Sequence, residues 1–132
     1  MRNLNLIVVH CSATKEGANF DAEDVTRWHK AKGWSDCGYH YVIKLDGTLE
    51  QGRPIQKIGA HAKGFNNESI GICYIGGVDS NGKPKDTRTY AQTKTLENTI
   101  RTLRSVFGEL EVKGHKDLPN VAKACPSFDV KL

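Results

Sequence analysis

The sequence is short of most features that would take it outside ordinary soluble folds. No apolar stretch approaches the roughly 20 residues of a bilayer-crossing helix, and the run Leu6–Val9 is far too brief. Like charges never gather in a block, although 19 Lys and Arg against 15 Asp and Glu leave a net charge of +4. That scattered excess suits a polyanionic partner or plain solubility. With no recognition motif beside it, it does not point to nucleic acid. Four cysteines, Cys11, Cys37, Cys73 and Cys125, are too few for the disulfide framework of a small secreted domain. Reduced thiols are expected, with at least one available as ligand or nucleophile. The start, Met1-Arg2-Asn3, carries a cation, but Asn3, Asn5 and His10 interrupt any signal-peptide core. Synthesis in the cytoplasm is therefore expected.

What is present fits one α/β domain over residues 1–132, since no linker, repeat or low-complexity tract divides the chain. Leu4–Val9 reads as a strand buried on both faces. Asp21-Ala22-Glu23-Asp24 reads as an acidic first helical turn, with Val25 and Trp28 on one face and Gly33 as the stop. Asp46-Gly47 between Tyr39–Leu45 and Thr48–Glu50 is a hairpin signal. Ser69–Ile75 is a second buried strand, and Asp79–Thr87 a loop. Thr89 and Gln92 form a capping box, after which Leu96, Ile100, Leu103 and Phe107 recur as a core-facing stripe up to Gly108. Leu110–Val112 reads as a short strand. The expectation is a central mixed sheet flanked by two or three helices.

Two places concentrate chemistry. His10 stands at the exit of the first strand, and Cys11 points to the other face because strand residues alternate. Later, His115 and Cys125 lie ten residues apart around Pro119, a spacing that can fold two ligands to one point. Together with a distant His they would make three ligands and an open position, the pattern of a catalytic zinc. On spacing alone the signal is weak, because five histidines and four cysteines allow many triples.

Ordered blocks sharpen it. Val9-His10-Cys11-Ser12-Ala13-Thr14, Gly38-Tyr39-His40-Tyr41-Val42-Ile43, Asp46-Gly47, Gly52-Arg53, Gly59-Ala60-His61-Ala62-Lys63-Gly64, Asn66 with Ser69-Ile70-Gly71, Gly114-His115 and Lys123-Ala124-Cys125-Pro126-Ser127-Phe128-Asp129 appear in turn. Over nearly its whole length the chain resembles zinc-dependent N-acetylmuramoyl-L-alanine amidases, the family of small phage lysozymes and peptidoglycan recognition proteins. The resemblance implies one Zn²⁺ held by His10, His115 and Cys125, with Tyr39 and Lys123 as catalytic residues and His61 lining the substrate cleft. It implies an endolysin-like enzyme that cuts peptidoglycan between N-acetylmuramic acid and L-alanine after release to the wall. A monomer with no membrane or nucleic-acid partner is expected. The alternatives are a non-catalytic peptidoglycan-binding module and a thiol hydrolase using Cys125 with His115; binding to an RNA polymerase, known among phage relatives, is a weaker one.

Outside the motif positions, His40 is expected to fill a strand position, His29 to sit on a solvated helix face, and Cys73 to pack in the core. Cys37 has no assigned role. Asp117 is read as a turn or capping residue. Glu50 and Glu68 are read as surface glutamates, leaving the general base unassigned.

Overall fold

The computed structural model describes residues 2–119 and 121–130. Seven strands and two helices follow in the order β1 (Leu6–Cys11), β2 (Thr14–Lys15), α1 (Ala22–Ala31), β3 (Tyr41–Ile43), β4 (Leu49–Gln51), β5 (Ser69–Tyr74), β6 (Gly77–Val78), α2 (Tyr90–Phe107) and β7 (Glu111–Gly114). Short 3₁₀ turns at Asn66–Glu68 and His115–Asp117 precede β5 and follow β7. The main sheet has the order β4-β3-β5-β1-β7. All its pairings are parallel except the β3–β4 hairpin turning at Asp46-Gly47. This is the expected mixed sheet with two helices.

Both helices start where their side chains cap them. Asp21 accepts the Asp24 N–H while Asp24 reaches back to the Asp21 N–H. Thr89 and Gln92 exchange the same pair of bonds. The boundaries shift by a residue or two, with β1 reaching Cys11 and β7 beginning at Glu111. The small β2–β6 pair was not expected, because two-residue strands carry no periodicity to read.

Alternation along the central strands sorts the sheet into two faces. Ile7, Val9, Ile43, Ile70 and Ile72 pack under Leu96, Ile100 and Leu103 of α2. On the other face Val42 packs against Val25 of α1, and Leu6 and Val8 meet Ala62 and Leu118. His10 shares this second face, so its imidazole emerges at the carboxyl end of a central parallel strand, where α/β sheets place ligands.

One expectation fails on α1. His29 is buried, not solvated: its Nδ1 accepts the Gly38 N–H at 2.8 Å, and its ring lies 4.5 Å from that of Trp34 and 5.4 Å from that of Tyr39. It stands four residues after Val25, one helical turn along the same buried stripe.

Candidate functional site

Register brings the first two ligands together. β7 pairs with β1 up to Val9↔Gly114, so the next residues, His10 and His115, come side by side with ring centroids 4.6 Å apart. The loop carrying Cys125 is pinned from several sides. The Lys116 N–H donates to the Cys125 carbonyl at 2.7 Å, the Tyr74 hydroxyl to the Pro126 carbonyl at 2.6 Å, and the Ser127 hydroxyl to the Gly77 carbonyl at 2.8 Å. The ligand atoms of His10, His115 and Cys125 all lie within 4.8 Å of one another. They form the one such group among the described residues.

The donor set suits zinc. Burial, together with His61, His115 and Lys123, holds the His10 imidazole well below its usual range. Burial and Lys123 also lower His115. Both rings are therefore neutral at pH 7, the form that offers a lone pair. At Cys125 the neighbouring Cys11 side chain and burial push the thiol up. Against this, the Cys11 backbone N–H donates to the sulfur at 3.1 Å, a contact that favours thiolate. A cation held among the three would supply the charge that completes the balance. Cys11's own side chain reaches the same loop, lying 4.0 Å from the Ser127 hydroxyl and beside the Cys125 sulfur, although alternation turns it away from His10.

Tyr39 packs its ring between His10, at 5.0 Å, and His29. Burial, with smaller contributions from the cysteines around it, raises its phenol well above the usual value, so it remains a hydrogen-bond donor. Lys123 is exposed. It lines a cleft of about 480 Å³ together with Trp34, His61, Lys63, Asn66 and His115. Of the three candidate ligands His115 lines this cleft directly, so it and Lys123 face a common space, with His10 buried beside it.

The remaining expectations sort cleanly. Asp117 caps its turn by accepting the Gly114 N–H. Glu50 accepts the Ala22 N–H at the start of α1, and Glu68 accepts from Asn5, so both have structural work. Cys73 is buried in the core. His40, just ahead of β3, is fully buried: its Nδ1 accepts the Gly71 N–H at 3.0 Å, and its Nε2–H donates to the Lys57 carbonyl at 2.8 Å. Cys37 is buried against α1. The residues that sequence reasoning missed are Trp34, Lys63 and Asn66 in the cleft wall and His29 behind Tyr39. The spacing of His29 from Val25 was a signal; for the cleft wall none stood out beyond the Gly59–Gly64 block.

A family model described as N-acetylmuramoyl-L-alanine amidase matches residues 1–128. The chain belongs to the N-acetylmuramoyl-L-alanine amidase family. The amidase is 46% identical over 125 residues to the endolysin of Enterobacteria phage T3, an alignment covering 95% of this chain and 82% of that one. Its fold matches the N-acetylmuramoyl-L-alanine amidase LysC from Clostridium intestinale with a TM-score of 0.83 at 30% identity, over 97% of this chain and 79% of LysC. It also matches, with a TM-score of 0.78 at 26% identity, a chain from the complex of tracheal cytotoxin with the ectodomains of peptidoglycan recognition proteins LCa and LCx. That match covers 96% of this chain and 77% of the other. The chain is thus an enzyme, a hydrolase of the amidase and endolysin type. No helix among the described residues is long and apolar enough to cross a membrane.

Proposed function

We propose that the amidase cleaves peptidoglycan between the lactyl group of N-acetylmuramic acid and L-alanine, using one zinc ion held by His10, His115 and Cys125. The observation that carries this reading is the convergence of those three ligand atoms within 4.8 Å, with His115 also lining an open cleft. Bound there, zinc supplies Lewis-acid charge and an acidified water with a pKa of roughly 7. The chain's own residues then serve the carbonyl. As water adds to the carbonyl carbon and the C–N bond breaks, negative charge passes through the carbonyl oxygen. The Tyr39 hydroxyl donates to that oxygen, and the Lys123 ammonium faces it across the cleft. The departing amine of L-alanine takes up a proton, giving free stem peptide and intact glycan.

The net charge of +4 suits the carboxylates of the stem peptides. The endolysin relatives support synthesis in the cytoplasm and action on the wall after release. The Cys11 side chain and burial, which push the Cys125 thiol up in the metal-free site, also favour a ligand role over a thiol hydrolase, since only the thiolate attacks. The deciding experiment pairs metal analysis with turbidity loss of purified sacculi. One zinc per chain and activity abolished by chelation are expected. Full activity in a zinc-free preparation would sink the reading.

A further inference from the structure

His10 has two ring nitrogens, and they face different ways. Nδ1 lies 3.8 Å from the Cys125 sulfur, while Nε2 lies 2.9 Å from Nδ1 of His61. Nε2 of His61 in turn lies 3.2 Å from the Ser69 hydroxyl. A nitrogen that ligates a cation must present its lone pair, so the hydrogen of His10 belongs on Nε2. Nε2–H then donates to His61 Nδ1, which leaves the His61 hydrogen on Nε2 to donate to Ser69. Reversing these tautomers turns an N–H toward the sulfur and removes the ligand lone pair. One direction of the relay is compatible with a metal, and both ring nitrogens of His61 are consumed by it.

His61 is itself held in place. Its backbone N–H and that of Ala62 both donate to Oδ1 of Asn66 at 2.9 Å. Its ring lies flush on β5, where a Cβ on Gly71 would come within 2.6 Å of its Cγ, and a Cβ on Gly59 within 2.8 Å of its Cδ2. Two glycines therefore make room for the ring. The Arg2 guanidinium ties the surrounding loops together by donating to the carbonyls of Ile55, Asn66 and Ser69.

We propose that His61 is a positioning residue for the metal centre: through Nδ1 it fixes the ring orientation and tautomer of His10, with Ser69 fixing His61 in turn. The role rests on the zinc reading above and assigns His61 work other than contact with substrate, because its polar atoms are already engaged. Partners of this kind are worth about 10–100-fold in metal affinity.

The test measures zinc affinity by chelator competition and the spectrum of the cobalt-substituted protein, with the thermal melt of metal-free samples as a check on folding. His61→Ala is expected to weaken zinc binding by about 10–100-fold and to alter the cobalt ligand-field bands. His61→Asn, whose Oδ1 stands near the former Nδ1, should recover most of the affinity. Ser69→Ala, which trims only the far end of the relay, should lose less than His61→Ala and keeps the question answerable if that variant melts. Zinc bound by His61→Ala as tightly as by wild type, or no better by His61→Asn than by His61→Ala, overturns the role of His61 alone. A wild-type chain that takes up no zinc overturns the metal centre, and the relay with it.

Discussion

The two faces of one sheet are built on opposite terms. Under α2 the sheet presents Ile7, Val9, Ile43, Ile70 and Ile72, a dry layer closed by Leu96, Ile100 and Leu103. Across the same strands, the other face carries His10, Cys73, Ser69 and Gly71, with His40 and His61 packed against them. β1 contributes to both, because Val9 and His10 are neighbours that alternation sends to opposite sides. The first face contributes mainly stability, and touches the site only where Tyr74 at the end of β5 holds the Cys125 loop. The second gives up apolar burial to hold polar rings in fixed orientations, and each buried ring needs a partner. The amidase meets that need fully: among the described residues no buried side-chain nitrogen or oxygen lacks a hydrogen-bond partner.

That division can be broken most directly at Cys125. Cys125→Ser should abolish amide hydrolysis and stoichiometric zinc while leaving the urea midpoint of metal-free protein near that of wild type. Loss of a ligand should exceed the roughly 10–100-fold that outer partners cost in affinity or activity. Measurable turnover in that variant would place the chemistry elsewhere. The mirror experiment is Ile72→Ala on the α2 face. It should lower unfolding free energy by about 2–5 kcal/mol, yet leave kcat per folded molecule unchanged. A change in kcat with intact folding would mean the faces are coupled. Tyr39→Phe comes next: removing one donor to the developing oxyanion costs about 10²–10³ in kcat, and KM for muropeptide should hardly move. An unchanged kcat would confine Tyr39 to packing between His10 and His29.

The dry face was the easier one to read. Leu96, Ile100, Leu103 and Phe107 announce themselves by helical spacing, and Thr89 and Gln92 mark where that helix begins, because local periodicity and capping are written into neighbouring residues. The polar face depends on distant segments meeting. Neither His10 nor Cys125 carries a local sign that they belong together; the matching blocks tied them, and the β1–β7 register explains how they meet. His61 shows the limit most clearly. Its block marked it for the cleft, but its bond to His10 arises from a turn at Asn66 and from two glycines on separate segments. His29 failed for a simpler reason, as a polar residue on a buried stripe whose partner, the Gly38 N–H, lies outside the helix.

The polar face should also give the protein a pH dependence that the α2 face cannot. Burial, with the Arg2 and Arg53 charges against it, lowers His40 to about 4, while the Lys57 carbonyl pulls the other way. In the unfolded chain the same group titrates near 6.5. Between these values the unfolded state binds a proton that the native state refuses, so stability is present in full above about pH 6.5 and is lost as pH falls toward 4. The slope from one such group is about 1.4 kcal/mol per pH unit. His61, lowered by burial to about 3, acts in the same direction. Urea melts of chelator-treated protein at pH 7, 6 and 5 measure this, and a flat profile would show that the rings protonate freely in the fold.

The smallest expected effect sharpens the comparison from the other side. Thr89 accepts the Gln92 N–H and donates its hydroxyl to the Leu45 carbonyl, while Gln92 Nε2–H₂ bridges the carbonyls of Ile43 and Ile75. This polar seam at the start of α2 joins the helix to the ends of two sheet segments. Thr89→Ala removes the cap and leaves a carbonyl short of a donor, a loss of about 0.5–2 kcal/mol. Because the seam meets only backbone carbonyls and none of the three candidate ligands, the variant should melt at lower temperature and still bind zinc with wild-type affinity. A zinc affinity that dropped with it would mean that the helix start sets the geometry of His10 through β5, and the two faces would then have to be treated as one unit.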